Sequence, residues 1–67
     1  MNQEEYTTLL RANHEKMLLS KKQTANELGV SEATLDRMRQ SGSITSKKVL
    51  GQVMFSIDEI ARFLADA

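Results

Sequence analysis

In "SKKQTANELGVSEATLDRMRQSG", residues 20–42, Ser20 and Ser31 each stand in front of a helix-forming run, and Gly29 falls between them. A serine at that position caps a helix, because its side chain accepts a bond from a free N–H of the first turn. Glycine ends one, since it enters the left-handed C′ conformation without steric cost. The stretch therefore predicts a helix from Lys21 to Leu28, a turn through Gly29, and a second helix from Glu32 to about Gln40, closed by Ser41-Gly42. On the first helix Ala25 and Leu28 face inward. On the second, Leu35 and Met38 share one face, while Ala33, Arg37 and Gln40 lie roughly opposite, with Asp36 and Thr34 at the margins. A core face and an exposed face of short, hydrogen-bonding side chains result.

Upstream, Tyr6, Leu9, Leu10 and Met17 fall at helical spacing and predict a helix from Gln3 to about Met17. Asn2 is its cap, and Glu4 and Glu5 complement the positive end of the dipole. Downstream of Gly42 the pattern shortens to β-rich runs, "ITSKKVL" and "VMFSI". Two strands are expected, about Ser46 to Leu50 and Val53 to Ser56, joined by a turn at Gly51-Gln52. Ser56 followed three residues later by Glu59 reads as a capping box that opens a last helix, with Ile60, Phe63 and Leu64 on its apolar stripe. The expected architecture is mainly α with a small β-hairpin, a winged helix-turn-helix within one domain, 1–67. Its parts are an additional N-terminal helix (1–17), the helix-turn-helix (20–41), the wing (45–56) and a closing helix (57–66).

A chain of 67 residues sits near the lower limit for a self-supporting core. It contains no cysteine, so neither a disulfide nor a thiolate metal site is available, and its one histidine, His14, has no second His or Cys with which to share a zinc ion. Helix packing or self-association is left as the source of stability. No apolar run approaches the roughly 20 residues that span a bilayer. The start, "MNQEEYTT", is acidic and polar, unlike a signal peptide. The expected location is the cytoplasm, at the nucleoid. No nucleophile–base pair or Gly-rich phosphate loop suggests itself, and a core this small leaves little room for a cleft. Neither catalysis, a cofactor nor a small-molecule ligand is expected.

The run "LLSKKQTANELGVSEATLDRMRQSGSI" resembles the compact winged-helix DNA-binding domains of the MerR-like group, which includes phage and plasmid excisionases and AlpA-type regulators. The residues that carry the resemblance are Ser20, Leu28-Gly29-Val30-Ser31, Thr34-Leu35 and Ser41-Gly42, and "KKVLGQVMFSIDEIARFL" looks like the wing and closing helix of those domains. It covers roughly residues 18–64 and implies double-stranded DNA as the partner. The chain departs from the pattern at the wing, where Gln52 and Met54 stand in place of arginines, and at Asp36 and Glu32, which are acidic on the recognition helix.

With nine basic and nine acidic residues the formal net charge is zero, but distribution matters more than the sum. Lys16 to Lys48 holds seven bases and three acids, 7 − 3 = +4; the two ends hold Arg11 and Arg62 against six acids, 2 − 6 = −4. Positive charge is thus concentrated on the helix-turn-helix and wing. Lys21 and Lys22 are candidates for phosphate contacts. Ser31, Ala33, Thr34, Arg37 and Gln40 are candidates for the groove: Arg37 for guanine, Gln40 for adenine, and the methyls of Ala33 and Thr34 for thymine. Arg39 is a further phosphate candidate, and Lys47, Lys48 and Gln52 would ride on the wing. Each has a plainer reading: Ser20 and Ser31 as caps, Glu32 as a dipole partner, Arg39 and Asp36 as a solvated pair. By the same reasoning Lys47-Lys48 are edge-strand charges, Met17, Met38 and Met54 filler, and His14 a surface residue.

Two biological uses fit a DNA-binding module that has no effector domain. One is an excisionase, or recombination directionality factor, that binds repeated sites beside an integrase and bends the DNA. The other is a small transcriptional regulator of a mobile element. The whole chain is little more than the winged domain, which favours the first. Copies could associate on DNA through the acidic terminal helices. A protein-interaction module on the same scaffold is the competing class.

Overall fold

The computed structural model describes residues 1–67, and the caps that punctuate the sequence set most of its boundaries. α1 (Gln3–His14) opens at Asn2, whose Oδ1 accepts the Glu5 N–H at 2.8 Å while Glu5 Oε1 accepts the Asn2 N–H at 3.1 Å. The helix stops three residues earlier than its apolar spacing suggested. Glu15 takes the left-handed conformation (φ 53°), and its N–H closes on the Arg11 carbonyl. Stopping there frees Leu18–Ser20 to form β1, a strand the sequence pattern did not reveal.

α2 (Lys21–Leu28) begins at Ser20 and ends at Gly29, and α3 (Glu32–Gln40) begins at Ser31, as expected. Gly29 has a φ of 69°, the conformation that suits it to this junction. The wing consists of β2 (Lys47–Val49) and β3 (Gln52–Ser56), and α4 (Ile57–Asp66) follows directly. The strands form one antiparallel sheet in the order β1-β3-β2. The expected hairpin is therefore two-thirds of a three-stranded sheet.

The hairpin turn also differs by one residue. Val49 pairs with Gln52, so the turn is Leu50-Gly51 and not Gly51-Gln52. Both central residues have positive φ, 52° and 82°, the requirement of a type I′ turn. Glycine meets it at the second position, but a leucine is left at the first. At Ser56 only half of the expected capping box forms. Ser56 Oγ accepts the Glu59 N–H at 3.0 Å, whereas the Glu59 carboxylate is taken by the Thr45 N–H and by Arg62.

Register dictates the core. Leu19 lies opposite Phe55, so both project from the same face of the sheet, and both are fully buried. Leu35 meets them from α3, Ile44 from the α3–β2 connection, and Ile57 and Ile60 from α4. Full burial of such side chains is worth roughly 1.5–3 kcal/mol each. Leu10 supplies the contribution of α1, with Tyr6 one turn earlier packed against the cluster. Leu9, expected on that stripe, is 51% exposed, because it stands about 100° around the helix from Leu10. Met17, beyond the helix end, is 73% exposed and is not filler. Met38 and Leu28 pack against the core as expected. His14 is not a free surface residue; its Nε2 lies 2.6 Å from Glu27 Oε1 and ties α1 to α2. Thr24 is the one buried polar residue, and its Oγ1 has no hydrogen-bond partner.

Candidate nucleic-acid interface

Burying Leu35 fixes the rotation of α3, and with it the face that remains outside. Ala33, Arg37 and Gln40 are exposed there, and Thr34 is half-exposed beside them. A hydroxyl chain runs along this face. Ser31 Oγ accepts the Thr34 N–H at 3.1 Å and donates to Thr34 Oγ1 at 3.0 Å. Arg37 Nη2 donates to the same Thr34 Oγ1 at 3.1 Å. The Arg37 guanidinium is thereby drawn toward the N-terminal end of α3, the end from which a recognition helix meets base edges. Ser31 thus joins a cap to this face, as the sequence allowed.

The lysines at the start of α2 separate. Lys22 is exposed and shares a shallow depression with Gln23, Asn26, Ser31 and Glu32, beside the first turn of α3. Lys21 turns instead to Asp36, with Nζ 3.1 Å from the carboxylate. Arg39 Nη2 reaches the same carboxylate at 3.2 Å, and its Nε is buried without a partner. Lys21 and Arg39, both phosphate candidates by sequence, are therefore held in one ion triad. The bond from Lys21, then that from Arg39, holds the Asp36 carboxyl below its ordinary value, against a smaller opposing effect of desolvation.

The wing lysines diverge as well. Lys48 lies opposite Val53 and so shares the face of Phe55, the inward face of the sheet. Lys47 lies opposite Met54, on the other face, and borders a polar groove with Gln3, Thr45, Asp58, Glu59 and Arg62. Both are exposed, as is Gln52 at the base of the turn. The wing tip itself carries an apolar residue, Leu50, which is fully exposed.

Counting ion pairs sharpens the charge pattern. Arg11 pairs with Asp58, and Arg62 with Glu59 and Asp66, so both cations outside the 16–48 segment are neutralised locally. Five bases lie outside any ion pair: Lys16, Lys22, Arg37, Lys47 and Lys48. All belong to the helix-turn-helix, its approach and the wing. Of that segment's three acids only Glu32 is unpaired. Lys16 was not among the residues singled out by sequence, which placed it in the N-terminal helix; the earlier end of α1 leaves it in the connection to β1.

A second structural pair was also missed. Arg62 Nε and Nη2 donate to the two Glu59 oxygens at 2.8 and 2.9 Å, and Nη2 also donates to the Ser43 carbonyl at 3.1 Å. Glu59 in turn accepts the Thr45 N–H at 2.8 Å. The pair thus anchors the α3–β2 connection to α4 and sets where the wing leaves the body. An i, i+3 Glu–Arg spacing was its only signal in the sequence. The Arg62 bonds, and less so the Thr45 N–H, hold the Glu59 carboxyl below its ordinary value despite desolvation, and the Arg62 guanidinium is raised correspondingly. No three His, Cys, Asp or Glu side chains converge in a way that could hold a metal ion, and no helix is long and apolar enough to cross a membrane.

Residues 18–67 match the family model described as a helix-turn-helix domain. No curated protein and no solved structure matches the chain.

Proposed function

The chain belongs to the helix-turn-helix domain family, and on that premise we propose that it binds double-stranded DNA sequence-specifically, with α3 in the major groove and the β2–β3 wing alongside. The observation that carries the reading is the location of the unpaired cations. All five lie in the segment from Lys16 to Lys48, which also supplies the exposed α3 face made of Ser31, Ala33, Thr34, Arg37 and Gln40. Lys22, Lys47 and Lys48 supply the phosphate contacts that set position, and Arg37 and Gln40 read base edges.

Within that reading the chain acts as an excisionase, or recombination directionality factor, of the MerR-like and AlpA-like kind, with an integrase as its partner. One short helix with one strong base reader is a poor selector. Specific complexes generally exceed non-specific ones by about 10³-fold or more, whereas a good bidentate pair contributes roughly 1–3 kcal/mol. Cooperative occupation of adjacent sites, with the DNA bent along the array, supplies the difference. Glu4, Glu5 and Glu15, the acids of α1 and its C-cap, all lie outside any ion pair and are the acidic groups of the terminal helices left to meet the free cations of a neighbouring copy head to tail.

Mobility shift on duplexes with one, two and three tandem sites tests this. Steep filling with bend-dependent migration is the expected result. Independent filling of straight DNA removes the recombination role and leaves a small transcriptional regulator. Binding that persists unchanged through a salt series removes the phosphate contacts assigned to the lysines, and no binding at all removes the DNA reading in favour of a protein-interaction module.

A further inference from the structure

We propose that Leu50 is an apolar wedge: the tip of the wing enters the minor groove, where the Leu50 side chain inserts at a base step and bends the duplex. The inference rests on the DNA-binding reading above and names the part of the chain that deforms the DNA.

Three observations converge on this residue. Leu50 is 100% exposed, more than any other large apolar side chain in the chain. It also holds a positive φ of 52°, a conformation that costs a leucine energy and that asparagine, aspartate or glycine adopts readily at this position of a type I′ turn. Turn geometry and solubility both disfavour leucine here, and no intramolecular contact rewards it. A strained, exposed apolar side chain at a tip points to a contact made outside the chain. Third, the neighbours suit DNA. The tip, Val49-Leu50-Gly51, carries no charge, Val49 is 39% exposed, and the exposed Lys48 and Gln52 flank it.

Dimensions favour the minor groove as the occupant. Paired strands lie about 4.8 Å apart, so only the end of a two-residue hairpin fits a groove about 6 Å wide. A single leucine is a small fraction of the roughly 800 Å² that each side of a stable protein interface buries, but it is enough for a wedge. Leucine is one of the side chains that minor-groove proteins insert between base steps, and the flanking lysine would meet phosphates on the groove wall. Pyrimidine–purine steps unstack most easily, so a TA or CA/TG step is expected where the tip lands.

The test uses the full chain and a duplex enriched by it from a random pool, labelled at both ends for energy transfer and read at saturating protein. The wild-type chain is expected to shorten the end-to-end distance. Leu50→Asn is expected to bind within about tenfold of wild type and to melt at a higher temperature, since Asn-Gly suits the turn, yet to leave the duplex nearly straight. Leu50→Phe, which keeps a wedge, is expected to restore the bend. A merely structural leucine would give the opposite stability result and no rescue. Wild-type bending by Leu50→Asn, or a straight duplex under the wild-type chain, overturns the wedge while leaving DNA binding intact. Failure of the pool to yield any bound duplex overturns the wedge together with the reading on which it rests.

Discussion

Lys21 on α2 and Asp36 on α3 face each other with Nζ 3.1 Å from the carboxylate, and Arg39 closes on the same carboxylate from one turn along α3. One acid thereby occupies two cations that would otherwise stand at the helix-turn-helix. Asp36 is a strut between the helices and, on the DNA-binding reading proposed above, would act as a brake on phosphate binding. Its replacement by asparagine keeps the size and removes the charge. Asp36→Asn is expected to tighten binding to any duplex by about 5- to 30-fold at low salt and to steepen the salt slope from about −3 or −4, three or four phosphate contacts, toward −5. Fluorescence anisotropy across a salt series reads both. Unchanged affinity would mean that Lys21 and Arg39 never meet phosphate.

Arg37 and Lys48 are expected to fail differently. Arg37 is held over the outer face of α3 by Thr34 Oγ1. Arg37→Ala should cost roughly 1–3 kcal/mol of discrimination at one base position and little on scrambled DNA. Lys48→Ala should weaken all duplexes about equally. Competition between specific and scrambled duplexes separates the two. Matching losses would place Arg37 on the backbone.

Leu35→Ala removes a fully buried side chain where α3 meets the sheet, at a cost of about 2–5 kcal/mol. In a domain this small that is a large share of the total stability. Urea unfolding at neutral pH gives the value; a midpoint equal to wild type would mean that α3 is rotated and that a different face meets DNA.

Thr24 invites the opposite change. Its Oγ1 is buried without a partner, a state that costs about 1–3 kcal/mol relative to a satisfied group. Thr24→Val keeps the β-branched shape and deletes the hydroxyl. It should stabilise the fold by about 1 kcal/mol, or some 4–8 °C in Tm. A lower Tm would show that the hydroxyl is satisfied in solution, for example by water.

These residues also show what the sequence made legible. Ser20, Gly29, Ser31 and Ser56 act on bonds within one turn, so a local pattern places the ends of α2, the starts of α3 and α4, and the buried face of α3. β1 is three residues long and carries no period, and only its pairing with β3 makes it a strand. The turn register slipped by one because Gly51 suggested itself as the first turn residue, whereas the pairing puts Leu50 there. Among the site candidates, exposure along α3 followed from helix geometry. The capture of Lys21 by Asp36, and the turning of Lys47 toward α4, depend on packing between elements and on strand alternation with a partner not yet known.

The last expectation concerns acid. Glu59 accepts two bonds from Arg62 and one from the Thr45 N–H, and its carboxyl lies below its ordinary value. A carboxyl so shifted binds fewer protons in the folded state than in the unfolded chain. Its contribution to stability is therefore complete above the unfolded value, about 4.3 for a glutamate, and is lost as pH falls through the lower folded value. Asp36 is shifted in the same direction and adds to the loss. Protonation of Glu59 would release Arg62 and, through it, the Ser43–Thr45 connection that leads into the wing. Tm is expected to be nearly flat from about pH 7 to 5 and to fall steeply between about pH 4 and 2. Glu59→Gln, which cannot ionise, should lower Tm at neutral pH and flatten the acid limb, whereas Asp36→Asn should flatten it less, because its pair has no bond to the backbone. A Glu59→Gln profile parallel to wild type across the acid range would show that the Arg62–Glu59 pair does not hold the wing to α4.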